Sequence, residues 1–288
     1  MAGAGLWLTA GLRWLLFTGL AVALGGVAGR ALARQHAGPG PAPLPGPWAL
    51  RASLLGLLAS AGLAVQARHG LLATGAGLIA VTELAAFAAA AVLLRLRHPG
   101  LSVLPLAAVA GAEGFRAHPE RVIPVGGALL TWAHLVPAAL WAGMLCYTVR
   151  AALAWRADPA AVRRLVGLYS RAAGWLFAVT VLTGLTSALV LVPIDSLLTT
   201  GYGRVLIIKA VLVAVAAGLA VRGRRWLRPG ASPGAAAQTG PALATRLEAG
   251  ALIVVLAVTA LLTALTPPRN SSILPASARP GQQTARTR

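Results

Sequence analysis

Five side chains in this sequence have the type and setting to do chemistry: Glu83, Lys209, His134, Glu113 and His118. Glu83 and Lys209 each lie inside an apolar run. An ionisable group inside a bilayer costs about 2.5–3.5 kcal/mol on insertion scales, so it faces protein and takes a partner. The two also sit at matching places in an internal echo. Leu71-Leu72-Ala73-Thr74-Gly75-Ala76-Gly77 parallels Leu197-Leu198-Thr199-Thr200-Gly201-Tyr202-Gly203, and at that offset Lys209 falls on Glu83. The register predicts a midplane ion pair between Glu83 and Lys209, acting either as a dock between two halves or as a gate on a proton or ion path.

His134 lies in a third apolar run. On a helix it shares one face with Ala138, Trp141 and Leu145 by i, i+4, i+7 spacing. A histidine there either bonds a neighbouring helix or holds a metal ion or a proton. Glu113 and His118 belong to Glu113-Gly114-Phe115-Arg116-Ala117-His118-Pro119-Glu120. They would offer oxygen and imidazole to a metal at a helix mouth, or form a charged, wet loop end. Met144 and Cys146 are soft sulfur atoms of the kind that suits Cu(I), but they fall on different faces, and packing is the expectation for both.

The elements that carry these residues are membrane helices. Of the 288 residues 58% are apolar and only 11% charged, and the mean hydropathy is +0.77. Soluble domains carry about 25% charged residues, so the chain is read as an integral membrane protein in a lipid bilayer. The formal net charge is +19. In a soluble protein that excess would point to nucleic acid; here the arginines sit between apolar runs and read as topology signals. Cys146 is the single cysteine, which excludes an intramolecular disulfide. The first apolar run continues into Arg30 and Arg34, so no cleaved signal is expected. Phosphate-loop, zinc-protease and serine-hydrolase motifs are missing, and the chain is not expected to be an enzyme. Bis-histidine haem would need facing intramembrane histidines, and only His134 qualifies.

Eight runs are long enough or apolar enough to be crossings: Arg13–Ala31, Leu50–Ala67, Leu71–Leu94, Leu101–Phe115, Val122–Val149, Ala172–Val192, Val205–Val221 and Leu247–Leu265. The fourth is short against the ~20 residues a hydrocarbon core needs, so a tilted or thinned crossing is expected. With the N-terminus outside, the inner loops collect Arg30, Arg34 and Arg51, then Arg95 and Arg97, then Arg150 to Arg171, then Arg222 to Arg246, which favours both termini outside. Pro39 to Pro47 form a stiff linker, and Pro229, Pro233 and Pro241 mark a disordered loop. The expected fold is an all-α polytopic membrane helix bundle of eight transmembrane helices, arranged as two parallel four-helix repeats. The divisions are an N-terminal half (1–121), a C-terminal half (122–266) and a disordered polar tail (267–288).

Several ordered segments resemble the copper-resistance D (CopD) family of bacterial integral membrane proteins. They are His134-Leu135-Val136-Pro137-Ala138-Ala139-Leu140-Trp141-Ala142-Gly143, then Tyr169-Ser170-Arg171-Ala172, then Thr183-Gly184-Leu185, then Tyr202-Gly203-Arg204 with Lys209. The resemblance covers about residues 100–225. It implies copper handling at the plasma (inner) membrane, with copper ion as the transported or bound species. It also implies a separate periplasmic CopC-like copper-binding partner, since no such β domain is in this chain. On this reading copper meets Glu113 and His118 at the outer mouth and His134 deeper in. Two alternatives stay open: a non-transporting membrane partner in copper delivery to an oxidase, and a haem-binding redox bundle.

Overall fold

The structure, a computed structural model, describes residues 2–36, 44–67, 74–116, 124–191 and 198–226, together with Thr259. These residues form seven helices with no strand among them: α1 (Ala2–His36), α2 (Ala49–Gln66), α3 (Gly75–Arg95), α4 (Val103–Arg116), α5 (Pro124–Ala154), α6 (Pro159–Leu191) and α7 (Gly201–Trp226). Five of them, α1, α2, α3, α5 and α6, are long and apolar enough to cross a membrane. The chain is a multi-pass helical membrane protein. The eighth expected crossing and the tail lie outside the described residues, except for Thr259. The expected fourth crossing is α4. Its 14 residues span about 21 Å at 1.5 Å per residue, short of a ~30 Å hydrocarbon core.

Apolar surface gains nothing by leaving lipid, so helices in a membrane associate where small residues let backbones approach. That rule builds this bundle. Helices α1 and α5 cross at Gly25 and Gly143. A Cβ placed on Gly25 would lie 2.5 Å from Gly143 Cα and from Met144 N, and one on Gly143 would run into the Ala21 carbonyl. A side chain at either position would therefore force the two helices apart. Consecutive pairs from α1 to α5 also pack together, and α5 returns to α1, which closes a five-helix ring. Inside it are Leu16, Leu20, Leu24, Phe87, Leu106, Val109, Trp141 and Leu145. Helix α6 packs chiefly on α5, and α7 touches α6 only lightly. The described packing does not divide into two four-helix repeats, because α5 is shared between the ring and α6.

The echo that suggested a repeat has a local cause. Thr74 caps α3, accepting from the Gly77 N–H at 3.2 Å. Thr200 does the same for α7, accepting from the Gly203 N–H at 3.1 Å. Thr-Gly-x-Gly is thus one solution, used twice, to the orphan N–H groups of a helix start. It carries no information about how two halves dock.

The far end of α5 is tied down. Tyr147 Oη donates to the Pro45 carbonyl at 3.1 Å, and Arg150 donates to the Gly46 carbonyl at 3.1 Å. The Arg150 guanidinium also stacks 3.8 Å over the Trp48 ring. A four-residue turn, Trp155 to Asp158, then leads into α6, where Asp158 accepts from the Ala161 N–H at 2.9 Å. Trp155, Ala161 and Leu165 pack beneath it with Ala33, Tyr147 and Ala151. Gly143→Val overpacks the α1–α5 crossing and is expected to cost about 1–3 kcal/mol or more. Thermal unfolding in detergent should show a drop of several degrees, whereas Gly167→Ala, which meets nothing within 4 Å, should not lower the transition and, as a helix-interior Gly→Ala change, should raise it slightly.

Candidate functional site

A cavity of about 380 Å³ opens between α5, α6 and α7, with α1 closing one side. Each helix lines it with one face at helical spacing. Helix α1 supplies Phe17 and Leu20; α5 supplies His134, Ala138 and Trp141 among others; α6 supplies Phe177, Thr180, Val181, Gly184 and Leu185; α7 supplies Leu206, Lys209, Ala210, Val213 and Ala214; and Thr259 also lines it. The face expected from sequence, His134 with Ala138 and Trp141, is the face that meets the cavity, while Leu145 is buried in the ring core. Trp141 and Phe177 meet edge to face, 5.3 Å between centroids, and brace the wall between α5 and α6.

His134 is held by α6. Its Nδ1 lies 2.9 Å from the Thr180 carbonyl and 3.2 Å from Thr183 Oγ1. A carbonyl only accepts, so Nδ1 carries the proton and donates it. Thr183 turns its own hydroxyl proton to the Val179 carbonyl at 2.6 Å, which leaves its oxygen free to accept as well. The neutral imidazole then has its lone pair on Nε2. Metal-binding histidines are usually fixed in this way, with one ring N–H donated to a backbone carbonyl and the other nitrogen left for the metal. Gly184 makes room for the ring: a Cβ there would lie 2.9 Å from His134 Cε1. Pro137 sits inside α5 and has no N–H to return to the Ala133 carbonyl, which loosens the helical turn that carries His134.

The structure does not bring Glu83 and Lys209 together. Lys209 faces His134 across the cavity. Glu83, 0% exposed, takes Arg116 as its partner at 3.0 Å. Glu113, 3% exposed, lies 3.4 Å from the same guanidinium, and Arg13 of α1 is close enough for its charge to act on both carboxylates. The midplane pair is therefore replaced by a buried cluster of two acids and two arginines inside the ring. Glu113 is part of that cluster and not of a wet outer mouth; Arg116, expected to lie at a loop end, instead turns inward as the last residue of α4. His118 lies outside the described residues. Met144 is core, at the α1–α5 crossing. Among the described residues no three of His, Cys, Asp and Glu gather as a metal-binding group, and Glu113 and His134 belong to separate sites.

The comparisons with known proteins bear on the part of the chain that holds most of the cavity. Residues 163–262 match the family model CopD, copper resistance protein D. The match is confined to this stretch. No curated protein and no solved structure matches the chain. The CopD stretch is about a third of the sequence and contains all but the first turn of α6, together with α7 and Thr259, hence Thr180, Thr183, Gly184 and Lys209. The His134 segment precedes it, and reaches the CopD part of the cavity through its bond to Thr180.

Arg116→Met would leave the Glu83 carboxylate buried without its cation. Removing one partner of a buried pair costs about 3–5 kcal/mol. The single variant should unfold well below the wild type in a thermal melt, and the double variant Arg116→Met with Glu83→Leu should recover most of the loss.

Proposed function

We propose that the chain carries copper across the plasma membrane, with His134 as the residue that receives the ion inside the bundle. One observation carries the reading. The imidazole is fixed through Nδ1 by a CopD-region backbone carbonyl, on the wall of an internal cavity, with its metal-binding nitrogen free of that bond. Imidazole is a suitable copper donor. Both termini lie outside on this reading, the inner face carries the arginine-rich loops, and a CopC-like periplasmic protein hands over the ion. The bundle is embedded in lipid and takes no nucleic acid partner. The Glu83–Arg116–Glu113–Arg13 cluster holds α1, α3 and α4 together on the opposite side of α5 and takes no part in binding the ion.

A second reading is copper delivery to a partner without transport. It is favoured by the absence, among the described residues, of a further His, Cys, Asp or Glu group to continue a path beyond His134.

Copper flux into proteoliposomes separates the two. Transport predicts uptake by the wild type and loss of at least about nine-tenths of it in His134→Ala, with normal expression and folding. Gly184→Ala, which pushes a methyl against the imidazole, should lower uptake severalfold. Normal uptake in His134→Ala would remove this residue from the path. Copper binding without flux in the wild type would favour the delivery reading.

A further inference from the structure

The acids of the buried cluster are not satisfied by its arginines. Glu83 Oε2 accepts a hydrogen bond from Arg116 at 3.0 Å, and Glu113 Oε1 lies 3.4 Å from Nε of the same guanidinium. Both salt bridges among the described residues are therefore made by one cation, shared by two carboxyls. Arg13 of α1 adds its charge to the group. One oxygen of each acid, Glu83 Oε1 and Glu113 Oε1, is buried and makes no hydrogen bond, in side chains that are 0% and 3% exposed. The two carboxyls also lie within hydrogen-bonding reach of one another. Two ionised carboxylates cannot make that bond, because each only accepts. One proton makes a donor of one and leaves the other an acceptor, and carboxylates sharing a buried site do not readily both ionise.

We infer that Glu83 and Glu113 hold one exchangeable proton between them, which makes the interior of the ring a proton-binding site. It is separate from the His134 cavity, and the inference does not depend on the copper reading. Neighbouring helices build it: α3 brings Glu83, α4 brings Glu113 and Arg116, and α1 brings Arg13. The charges that act on Glu83 are those of Glu113, Arg116 and Arg13. The ionisable residues of α2 and α5, which are Arg51, His134, Cys146, Tyr147 and Arg150, are not among them. A bound water would satisfy the two orphan oxygens but would leave two negative charges facing each other over a single guanidinium; a proton removes both problems. The proton comes and goes at the end of α4. Arg116 is the last residue of that helix and is 13% exposed, whereas the acids behind it are sealed. A proton taken from water past Arg116 neutralises one carboxyl, and its return to water restores the second charge.

Infrared spectroscopy of the full chain in detergent at neutral pH tests this. A protonated carboxyl gives a C=O stretch well apart from the carboxylate bands. The wild type should show that band, and it should shift when water is exchanged for D2O. Glu83→Gln and Glu113→Gln should each lose it, because the acid that remains has the Arg116 guanidinium to itself and ionises. Glutamine keeps the size of glutamate, and its amide donates the hydrogen bond that the proton made, so both variants should fold. If one does not, the other gives the same reading. Bands from acids outside the pair are common to all these proteins and cancel in the difference spectra. Asp158→Asn, at the start of α6, should keep the band. A wild type without a protonated carboxyl, or a folded glutamine variant with an unchanged band, would overturn the inference and leave two hydrated carboxylates in the ring. A band lost in the variants but unmoved by D2O would overturn it as well, since that proton would be locked in place and unable to exchange.

Discussion

The backbone contact between α1 and α5 at Gly25 and Gly143 is the constraint on which the rest of the architecture depends. Lipid surrounds this bundle, so no hydrophobic force drives its helices together as it would in water. They stay together because close backbones exchange more dispersion contact than lipid chains give them. With α5 drawn against α1, it also meets α4, and the remaining helices fill the circuit. The same helix then has its other face free for α6. His134 lies nine residues before Gly143, about 13 Å along the axis. The half of α5 that touches α1 is locked, and the half that bears the imidazole faces the cavity.

The buried ions obey a second rule, that charge in a membrane protein is compensated locally. Two carboxylates, Glu83 and Glu113, share the interior with Arg116 and Arg13. The group sets two acids against two arginines. It also ties α3 to α4, the helix too short to rely on a full apolar face. On the other side of α5 the balance is missing, for Lys209 and His134 face each other across the cavity without a carboxylate among the described residues. That difference separates the ion cluster inside the ring from the cavity proposed to receive copper, although both are made of the same few residue types.

Much of this was legible in the sequence. Composition gave the membrane helices, and the bounds of α2, α3 and α4 agree with the structure to within four residues, whereas α1 begins 11 and α6 13 residues before the expected run. The face of α5 that lines the cavity followed from helical spacing alone, and so did the importance of Glu83 and Lys209 as intramembrane charges. Their partners did not follow. Pairing them relied on the Thr-Gly-x-Gly echo, and that echo records the cost of starting a helix, which is the same wherever a helix begins. Arg116 was assigned to a loop end because hydropathy places an arginine at the boundary of a run; it cannot register that α4 stops inside the bundle. Apolar segments built from Ala, Leu, Val and Gly resemble one another too closely to specify their neighbours. The signal that did specify them was small: glycines at the crossing points, and Gly184 opposite the imidazole.

The turn from Trp155 to Asp158 acts as a ruler. Counted from its middle, His134 and Thr180 are almost equally far along α5 and α6, so the hairpin brings an imidazole on one leg level with a carbonyl on the other. The two legs must keep equal length for the bond to form. Losing one residue from either leg would slide the partners by about 1.5 Å and swing one of them by about 100°. Loop lengths elsewhere in the chain can drift with little effect, but the spacing along these two helices sets the His134–Thr180 bond, even though none of the residues in the turn takes part in it.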